Sequence, residues 1–201
     1  MLKTPTKKQI CMIAYTNYLT DARVRREAET LAALPEYKVT FLALKEGISP
    51  KIYNVDGVQI IELNINKYRG KGNLKYLISY CKFMLLAFLT CNKLFFERQI
   101  DVVHVHNMPN FLIFSGILPR LFQKKAILDI HDSMPETYSA KFAGGSNRLL
   151  FNMLCIEEAV CCGLANKVIC VNHVQRDVLI KRGLDSKKIT VSMNVPDHKR
   201  F

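Results

Sequence analysis

The sequence predicts an α/β protein with a doubly wound, largely parallel, Rossmann-like sheet and helices on both faces. Two observations predict it. Short apolar runs of strand length alternate along the chain with longer segments of helix length. The runs 102–105 and 126–130 are apolar nearly throughout, which is typical of strands buried on both faces of a parallel sheet. The chain has 201 residues, and we expect residues 1–201 to form one domain.

The elements follow in order along the chain. Strands are predicted over residues 9–14, 38–44, 57–63, 102–105, 126–130, 167–171 and 188–192. Helices are predicted over residues 21–34, 76–96, 111–122, 147–164 and 173–182. Thr20 or Asp21 can cap the first helix, and Gly183 can end the last. Residues 141–145 are predicted to form a mobile loop.

Charge and cysteine content narrow the class of protein. Lys and Arg number 29 against 17 Asp and Glu, a net charge of +12, which favours anionic partners. Seven cysteines without a C-x-x-C pair indicate reduced thiols, and residues 1–8 lack the apolar region of a secretory signal. These features predict a cytoplasmic protein.

Polar residues follow two of the predicted strands at the point where each ends. His104, His106 and Asn107 belong to the first group; His131, Asp132 and Glu136 belong to the second. Because ligands of parallel α/β sheets bind beyond the carboxyl ends of the strands, we expect a binding site there.

The first helix begins with basic residues instead of a glycine-rich turn. No G-x-G-x-x-G sequence follows the first strand, but Arg23, Arg25, Arg26 and Glu27 occupy the first two turns of the helix. An anion at this helix start would meet free N–H groups and guanidinium groups. Solvent-facing helix charges are an equally good interpretation of any one arginine.

Several chemistries can be set aside or left open. The chain has no G-x-S-x-G elbow, no P-loop and no D-x-D pair. A metal-dependent hydrolase could use His104, His106, His131 and Asp132 if they converge on one ion. His104 alone is better explained as a hydrogen-bonded histidine of the core.

The segment 76–96 is the most apolar part of the chain, and a basic loop, residues 67–72, precedes it. Its polar residues recur every three or four positions and form one narrow stripe. The helix is therefore either buried on almost every side or has an apolar face that meets another chain or an anionic membrane surface, through residues 67–96.

An ordered set of motifs resembles glycosyltransferase family 4. The motifs are DARVRREA at residues 21–28, DVVHVH at 101–106, DIHDSMPE at 129–136, VICVN at 168–172 and KITVSMNVPD at 188–197. They cover nearly the whole chain and match the N-terminal, acceptor-side domain of that family, one half of a GT-B fold. Asn17 and Asp21 stand where the family often has a glycine pair.

The resemblance implies a function. A retaining enzyme of this family moves a sugar from a nucleotide-sugar to an acceptor, here a polysaccharide or a lipid-linked glycan, with no metal and no nucleic acid partner. His131 would approach the transferred sugar. The implied substrate-binding residues are Asn17, Arg23, Arg26, His106, Asn107, Asp132, Glu136 and Asn172. Residues 194–201 would begin the crossing to a donor-binding domain absent from this sequence, so these residues alone should be inactive. A non-catalytic module that binds a membrane or a partner chain is the other alternative.

Overall fold

A computed structural model describes residues 7–68, 70, 73–141 and 147–195. Eight strands form one sheet: β1 Lys8–Ile13, β2 Tyr37–Leu44, β3 Ile52–Val55, β4 Val58–Leu63, β5 Val102–His106, β6 Lys125–Ile130, β7 Lys167–Cys170 and β8 Ile189–Val191. Their order is β3-β4-β2-β1-β5-β6-β7-β8. All pairs are parallel except β3–β4. The predicted α/β fold class is confirmed.

In the part of the chain that the structure describes, six α-helices and three 3₁₀ segments connect the strands. The helices are α1 Ala22–Ala32, α2 Asn73–Phe96, α3 Ile117–Leu121, α4 Met134–Lys141, α5 Arg148–Leu164 and α6 His173–Lys181. The 3₁₀ segments are Tyr18–Thr20, Asn110–Gly116 and Ser186–Lys188. Asp21 caps α1 by accepting a hydrogen bond from the backbone N–H of Val24 at 3.4 Å, as the sequence predicts.

Three elements differ from the sequence prediction. The segment predicted as a helix over 111–122 begins as a 3₁₀ helix and becomes α-helical only at Ile117. Helix α4 forms where only a Met-Pro break was expected. Strand β3 was missed because it is short, none of its four residues is buried, and it lacks an apolar run. A tight turn at Asp56 and Gly57, both with positive φ, joins it to β4.

The two faces of the sheet are covered differently. Helices α2 and α5 and the segment Asn110–Gly116 bury one face in a large apolar core. On the other face, Val24 and Ala28 of α1 pack against β1, β2 and β4. Next to α1 that face opens into a groove of about 540 Å³, lined by residues of β1, β5, β6 and β7 as well as α1. The packed core therefore fixes the carboxyl-terminal ends of the strands, whereas the part of the other face next to α1 is left uncovered.

Three sequence predictions fall partly outside the described residues. They are the basic loop at 67–72, the loop at 141–145 and the interdomain crossing at 194–201. These stay predictions.

Candidate functional site

Two neighbouring strands bring the predicted polar clusters together. Strands β5 and β6 pair in parallel with His106 opposite Asp129. The residues that follow, Asn107 on one strand and His131 with Asp132 on the other, therefore leave the sheet side by side. The expected clustering at the strand ends is present.

The carboxylate of Asp129 lies at the centre of this cluster. Its side chain is fully buried and accepts a hydrogen bond from Arg23 Nη2 at 3.1 Å. The carboxylate oxygen Oδ2 lies 3.2 Å from His106 Nδ1 and 3.0 Å from His131 Nε2. Burial raises the pKa of Asp129, but the hydrogen bonds and charges of the two histidines outweigh it and hold that pKa far below its ordinary value. Asp129 is thus a permanent anion that orients both rings.

His131 is the member of this cluster that reaches open space. Its side chain is 17% exposed, whereas those of His106 and Asp129 are fully buried. The backbone N–H of His131 donates to Asn107 Oδ1 at 2.7 Å, and Asn107 Nδ2 donates to the carbonyl oxygen of Asp132 at 2.7 Å. Asn107 therefore holds the loop that carries His131, and its amide is already occupied.

Two clefts meet at His131 and Asp132. The first, the β6–β7 cleft, has a volume of about 280 Å³ and is lined by His131, Asp132, Ser133, Glu136, Thr137, Val171, Asn172, Val174, Gln175 and Val178. The second, the tyrosine cleft, has a volume of about 250 Å³ and runs from His131, Asp132 and Asn107 to Tyr15, Lys67, Tyr76 and Tyr80. A side chain at His131 or Asp132 can contact a ligand in either cleft.

Glu136 lies in the β6–β7 cleft but is not free. It forms an ion pair with Arg182 and accepts a hydrogen bond from Ser133, and the same arginine binds the buried Glu158 at 2.6 Å. Partial burial raises the pKa of the Glu136 carboxyl, but Ser133 and Arg182 outweigh it and leave that pKa below its ordinary value. Glu136 is therefore an ionised, fixed acceptor for hydroxyl groups.

Other predicted site residues have structural partners. Asn17 Nδ2 donates to the carbonyl oxygen of Lys45 at 3.2 Å and ties the turn after β1 to the end of β2. Arg26 donates to the carbonyl oxygen of Val195 at 2.6 Å and lines the open groove beside α1, away from both clefts. Asn172 lines the β6–β7 cleft and caps α6, where its Oδ1 accepts from the N–H of Gln175 at 2.8 Å.

The basic start of α1 is neutralised by carboxylates of the protein itself. Arg23 binds Asp129 and lies 3.5 Å from Glu27, while Arg25 contacts Glu29 and Asp56. Burial is the main reason that the pKa of Glu27 is raised, and His106 partly opposes it. The guanidinium group of Arg23 hence stabilises Asp129 in the site, whereas that of Arg25 pairs with carboxylates outside it.

His104 is buried, as the core interpretation requires, but it is not fully hydrogen-bonded. Its ring stacks on that of His106 with centroids 4.3 Å apart, and its Nε2 has no partner among the residues that the structure describes. Burial, with a contribution from His106, lowers the pKa of His104 from 6.5 to about 3. The ring is neutral at physiological pH.

The metal-ligand set proposed for a hydrolase is not the one that converges. Within the described ranges, the side chains that come together are Glu27, His104, His106 and Asp129. His131 and Asp132 are not part of that group. This difference weakens the hydrolase alternative.

The sequence analysis did not identify three parts of the site, namely Asp129, Glu27 and the tyrosine side chains that line the tyrosine cleft. The signal for Asp129 was present, because a carboxylate inside a buried apolar strand requires partners. No local pattern shows that Glu27 lies next to Asp129, because the two residues are far apart in sequence. The same holds for the tyrosines of the cleft, which come from the turn after β1 and from α2: Tyr15, Tyr76 and Tyr80.

Comparisons with known proteins agree with this architecture. A family model described as Glycosyltransferase Family 4 matches residues 22–200. Sucrose-phosphate synthase from Thermosynechococcus elongatus is similar in structure, with a TM-score of 0.71, 14% identity, and coverage of 97% of this chain and 50% of that one. Phytolacca americana UGT2, complexed with UDP-2fluoro-glucose and pterostilbene, has a TM-score of 0.63, 10% identity, and coverage of 95% and 54%.

A UDP-N-acetylglucosamine 2-epimerase from Listeria monocytogenes, itself described as putative, is also similar, with a TM-score of 0.57, 15% identity, and coverage of 92% and 45%. The chain thus spans about half the length of these structures, which share its fold. No curated protein matches it.

The neutral, buried His104 makes stability depend on pH. Between its folded pKa of about 3 and its ordinary value of 6.5, the unfolded chain binds a proton that the folded chain does not. We therefore expect this residue to reduce the free energy of unfolding by roughly 1.4 kcal/mol for each pH unit below 6.5. Urea unfolding at several pH values in metal-free buffer measures the slope.

The matched variant is His104→Gln, which retains a polar side chain but cannot titrate. Its stability should depend less steeply on pH than that of the unsubstituted protein over the same interval. Identical slopes would show that His104 is already protonated in the fold.

Proposed function

Because the chain belongs to glycosyltransferase family 4, we propose that it is the acceptor-side half of a retaining enzyme that transfers a sugar from a nucleotide-sugar. The observation that carries this proposal is His131, oriented by a buried carboxylate and exposed where two clefts meet. The similar UGT2 structure holds a UDP-sugar analogue, which supports the donor class. The donor is assigned to a second domain, since the chain spans about half of its structural relatives.

His131 supplies a preorganised contact to the sugar in this proposal. Positive charge develops on the sugar as its bond to the nucleotide breaks, and a hydrogen bond that strengthens at that point lowers the barrier without tightening substrate binding. Asp129 holds the ring in place before the donor arrives, so the contact costs little reorganisation during the reaction. Transfer of this kind requires no metal ion.

The tyrosine cleft is the proposed acceptor site. Tyr15 and Tyr80 pack edge to face with ring centroids 4.6 Å apart, and the Tyr15 hydroxyl is 2.7 Å from Ser79 Oγ. These contacts fix an aromatic wall against which a sugar ring or an apolar chain can pack. Lys67 at the rim adds a positive charge suited to a phosphate on the acceptor. Asp132 lies at the inner end, where the acceptor hydroxyl would meet the donor.

Helix α2 extends from this cleft and presents an apolar outer face. Leu85 and Leu89 are 55% and 56% exposed, with Lys75, Lys82 and Lys93 also exposed on the helix. Ser79, expected in a polar stripe, is instead buried against Tyr15. Segment Leu74–Phe96 is long and apolar enough, by length and composition, to cross a membrane. Yet Phe83, Ala87 and Cys91 are completely buried on the sheet, which favours a helix that lies on a membrane.

Helix α5 covers the same face of the sheet as α2 and also exposes apolar residues. Met153, Ile156 and Val160 are all at least half exposed. The two acidic residues of α5 turn inward, where Glu157 accepts a hydrogen bond from Asn110 and Glu158 pairs with Arg182. An exposed helix face without acidic charge suits an anionic lipid surface. We therefore propose a lipid-linked acceptor and a peripheral position on the cytoplasmic side of the membrane.

Replacing His131 tests the catalytic role. In the intact enzyme, His131→Ala should lower kcat by about a hundredfold, equivalent to roughly 3 kcal/mol, while the acceptor KM stays nearly constant and the protein stays folded, with a lower melting temperature because the buried Asp129 loses one partner. Sugar-transfer kinetics and thermal unfolding measure the three quantities. His173→Ala, on the exposed start of α6, is the control and should behave as the unsubstituted enzyme. If His131→Ala does not fold, the proposed catalytic role of His131 is contradicted, because the residue is then needed for the structure.

Replacing the apolar face of α2 tests membrane binding. The double variant Leu85→Asp with Leu89→Asp should not float with vesicles of anionic phospholipid, because two charges would enter the acyl region. The unsubstituted protein should float, and its recovery should fall as salt is added, since each nearby lysine contributes about 1 kcal/mol that salt screens.

The matched control is Leu34→Asp, a substitution of an exposed apolar residue that follows α1, the helix on the other face of the sheet from α2. It should float as well as the unsubstituted protein. Equal recovery on neutral and anionic vesicles, or no flotation on either, contradicts the proposed surface.

A further inference from the structure

Four potential metal ligands converge beneath α1, and two of them, His106 and Asp129, also belong to the cluster that orients His131. They are Glu27 from α1, His104 and His106 from β5 and Asp129 from β6, and one ligand atom of each lies within 4.8 Å of the others. The two histidines alternate with Val105 on one strand, so both rings project from the same face of the sheet. Three elements thus deliver two imidazoles and two carboxylates to one point.

The histidines of this group have unused nitrogen atoms. Nε2 of His104 and Nε2 of His106 are both buried, and neither has a hydrogen-bond partner among the described residues. Buried polar atoms are nearly always satisfied, and an exception needs an explanation such as an ion. The His106 ring also directs Nδ1 at both carboxylates, 3.7 Å from Glu27 and 3.2 Å from Asp129. An ion bound through that nitrogen would leave Nε2 of His106 without a partner, so the unsatisfied atom of His104 carries the argument.

The charges of the pocket are also unbalanced. Glu27 and Asp129 contribute two carboxylates, and Arg23, which lies 3.5 Å from the first and 3.1 Å from the second, contributes one guanidinium. The histidines aside, one negative charge remains next to the fully buried side chain of Asp129. A bound cation or a proton can compensate it.

We propose that Glu27, His104, His106 and Asp129 bind one Zn²⁺ ion that joins α1 to β5 and β6. Two imidazoles with two carboxylates are a ligand set that zinc accepts in tetrahedral sites. Ligands of such an ion are about 3.4 Å apart, because each lies about 2.1 Å from the metal. The group must therefore contract by roughly an ångström, which side-chain rotation can provide.

An entry path reaches this site from solvent. The groove beside α1, with a volume of about 540 Å³, is lined by both Glu27 and His104. An ion can enter there without passing through the clefts at His131. The role assigned to the ion is structural, so the proposal does not depend on the sugar-transfer reaction.

Cobalt is the probe, because Co²⁺ occupies zinc sites and its visible absorption reports the coordination. The intact protein, stripped with a chelator, should bind one equivalent of Co²⁺ with the strong visible bands of a tetrahedral site and without the near-ultraviolet band of thiolate ligands. Zn²⁺ should displace it. At free Zn²⁺ about a hundredfold above the dissociation constant, the melting temperature should rise by roughly 5–10 °C.

Three variants define the site. His104→Gln and Glu27→Gln should each lose the tetrahedral bands and the thermal shift. Arg23→Gln should bind the ion about tenfold more tightly, because the competing guanidinium is removed. His173→Gln, on the surface, is the control and should leave binding unchanged. Circular dichroism verifies folding, and Glu27→Gln decides the matter if His104→Gln does not fold.

Two results would overturn the proposal. One is the absence of a tetrahedral cobalt spectrum and of a thermal shift in the unsubstituted protein, which would mean that a proton balances the pocket. The other is equal binding by the unsubstituted protein and Glu27→Gln, which would place the ion elsewhere.

Discussion

The buried carboxylate of Asp129 is the constraint on which the rest of the site depends. A carboxylate without solvent must be compensated, and here Arg23 from α1, His106 from β5 and His131 beyond β6 all point at it. The contact with Arg23 ties α1 to the end of the sheet, and the contact with His131 fixes the ring that faces both clefts. The stability of this part of the fold and the orientation of the His131 ring therefore both depend on the buried carboxylate of Asp129. The proposed zinc ion would bind in the same pocket and compensate the carboxylate charge that Arg23 leaves uncompensated.

Polar and apolar side chains are distributed in an unusual way over this fold. Several carboxylates point inward, including Asp129, Glu158 and the partly buried Glu157. Large apolar residues of α2 and α5 point outward instead, on the face opposite α1. The net charge of +12 accompanies this distribution. Both features agree with the anionic membrane surface proposed above as the partner of α2 and α5.

The sequence was sufficient for the fold because parallel strands leave a strong local pattern. The apolar runs identified seven of the eight strands, and their polar ends placed His106, Asn107, His131 and Asp132 together. Strand β3 was missed because it is short, has no buried residue and lies at the edge of the sheet. The roles of Glu27 and Asp129 were missed for another reason. They depend on the register between paired strands and on contacts between residues far apart in sequence. Asn17 and Arg26 were assigned to substrate, yet their side chains bind Lys45 and Val195.

A double-mutant cycle between Asp129 and His131 in the intact enzyme tests the central claim most directly. If Asp129 acts by orienting the His131 ring, Asp129→Asn alone should lower kcat by on the order of a hundredfold, as loss of one preorganised contact does. Combined with His131→Ala, it should cause little further loss, because the two residues act as a unit. Losses in kcat that multiply independently would contradict the account and separate the buried carboxylate from catalysis.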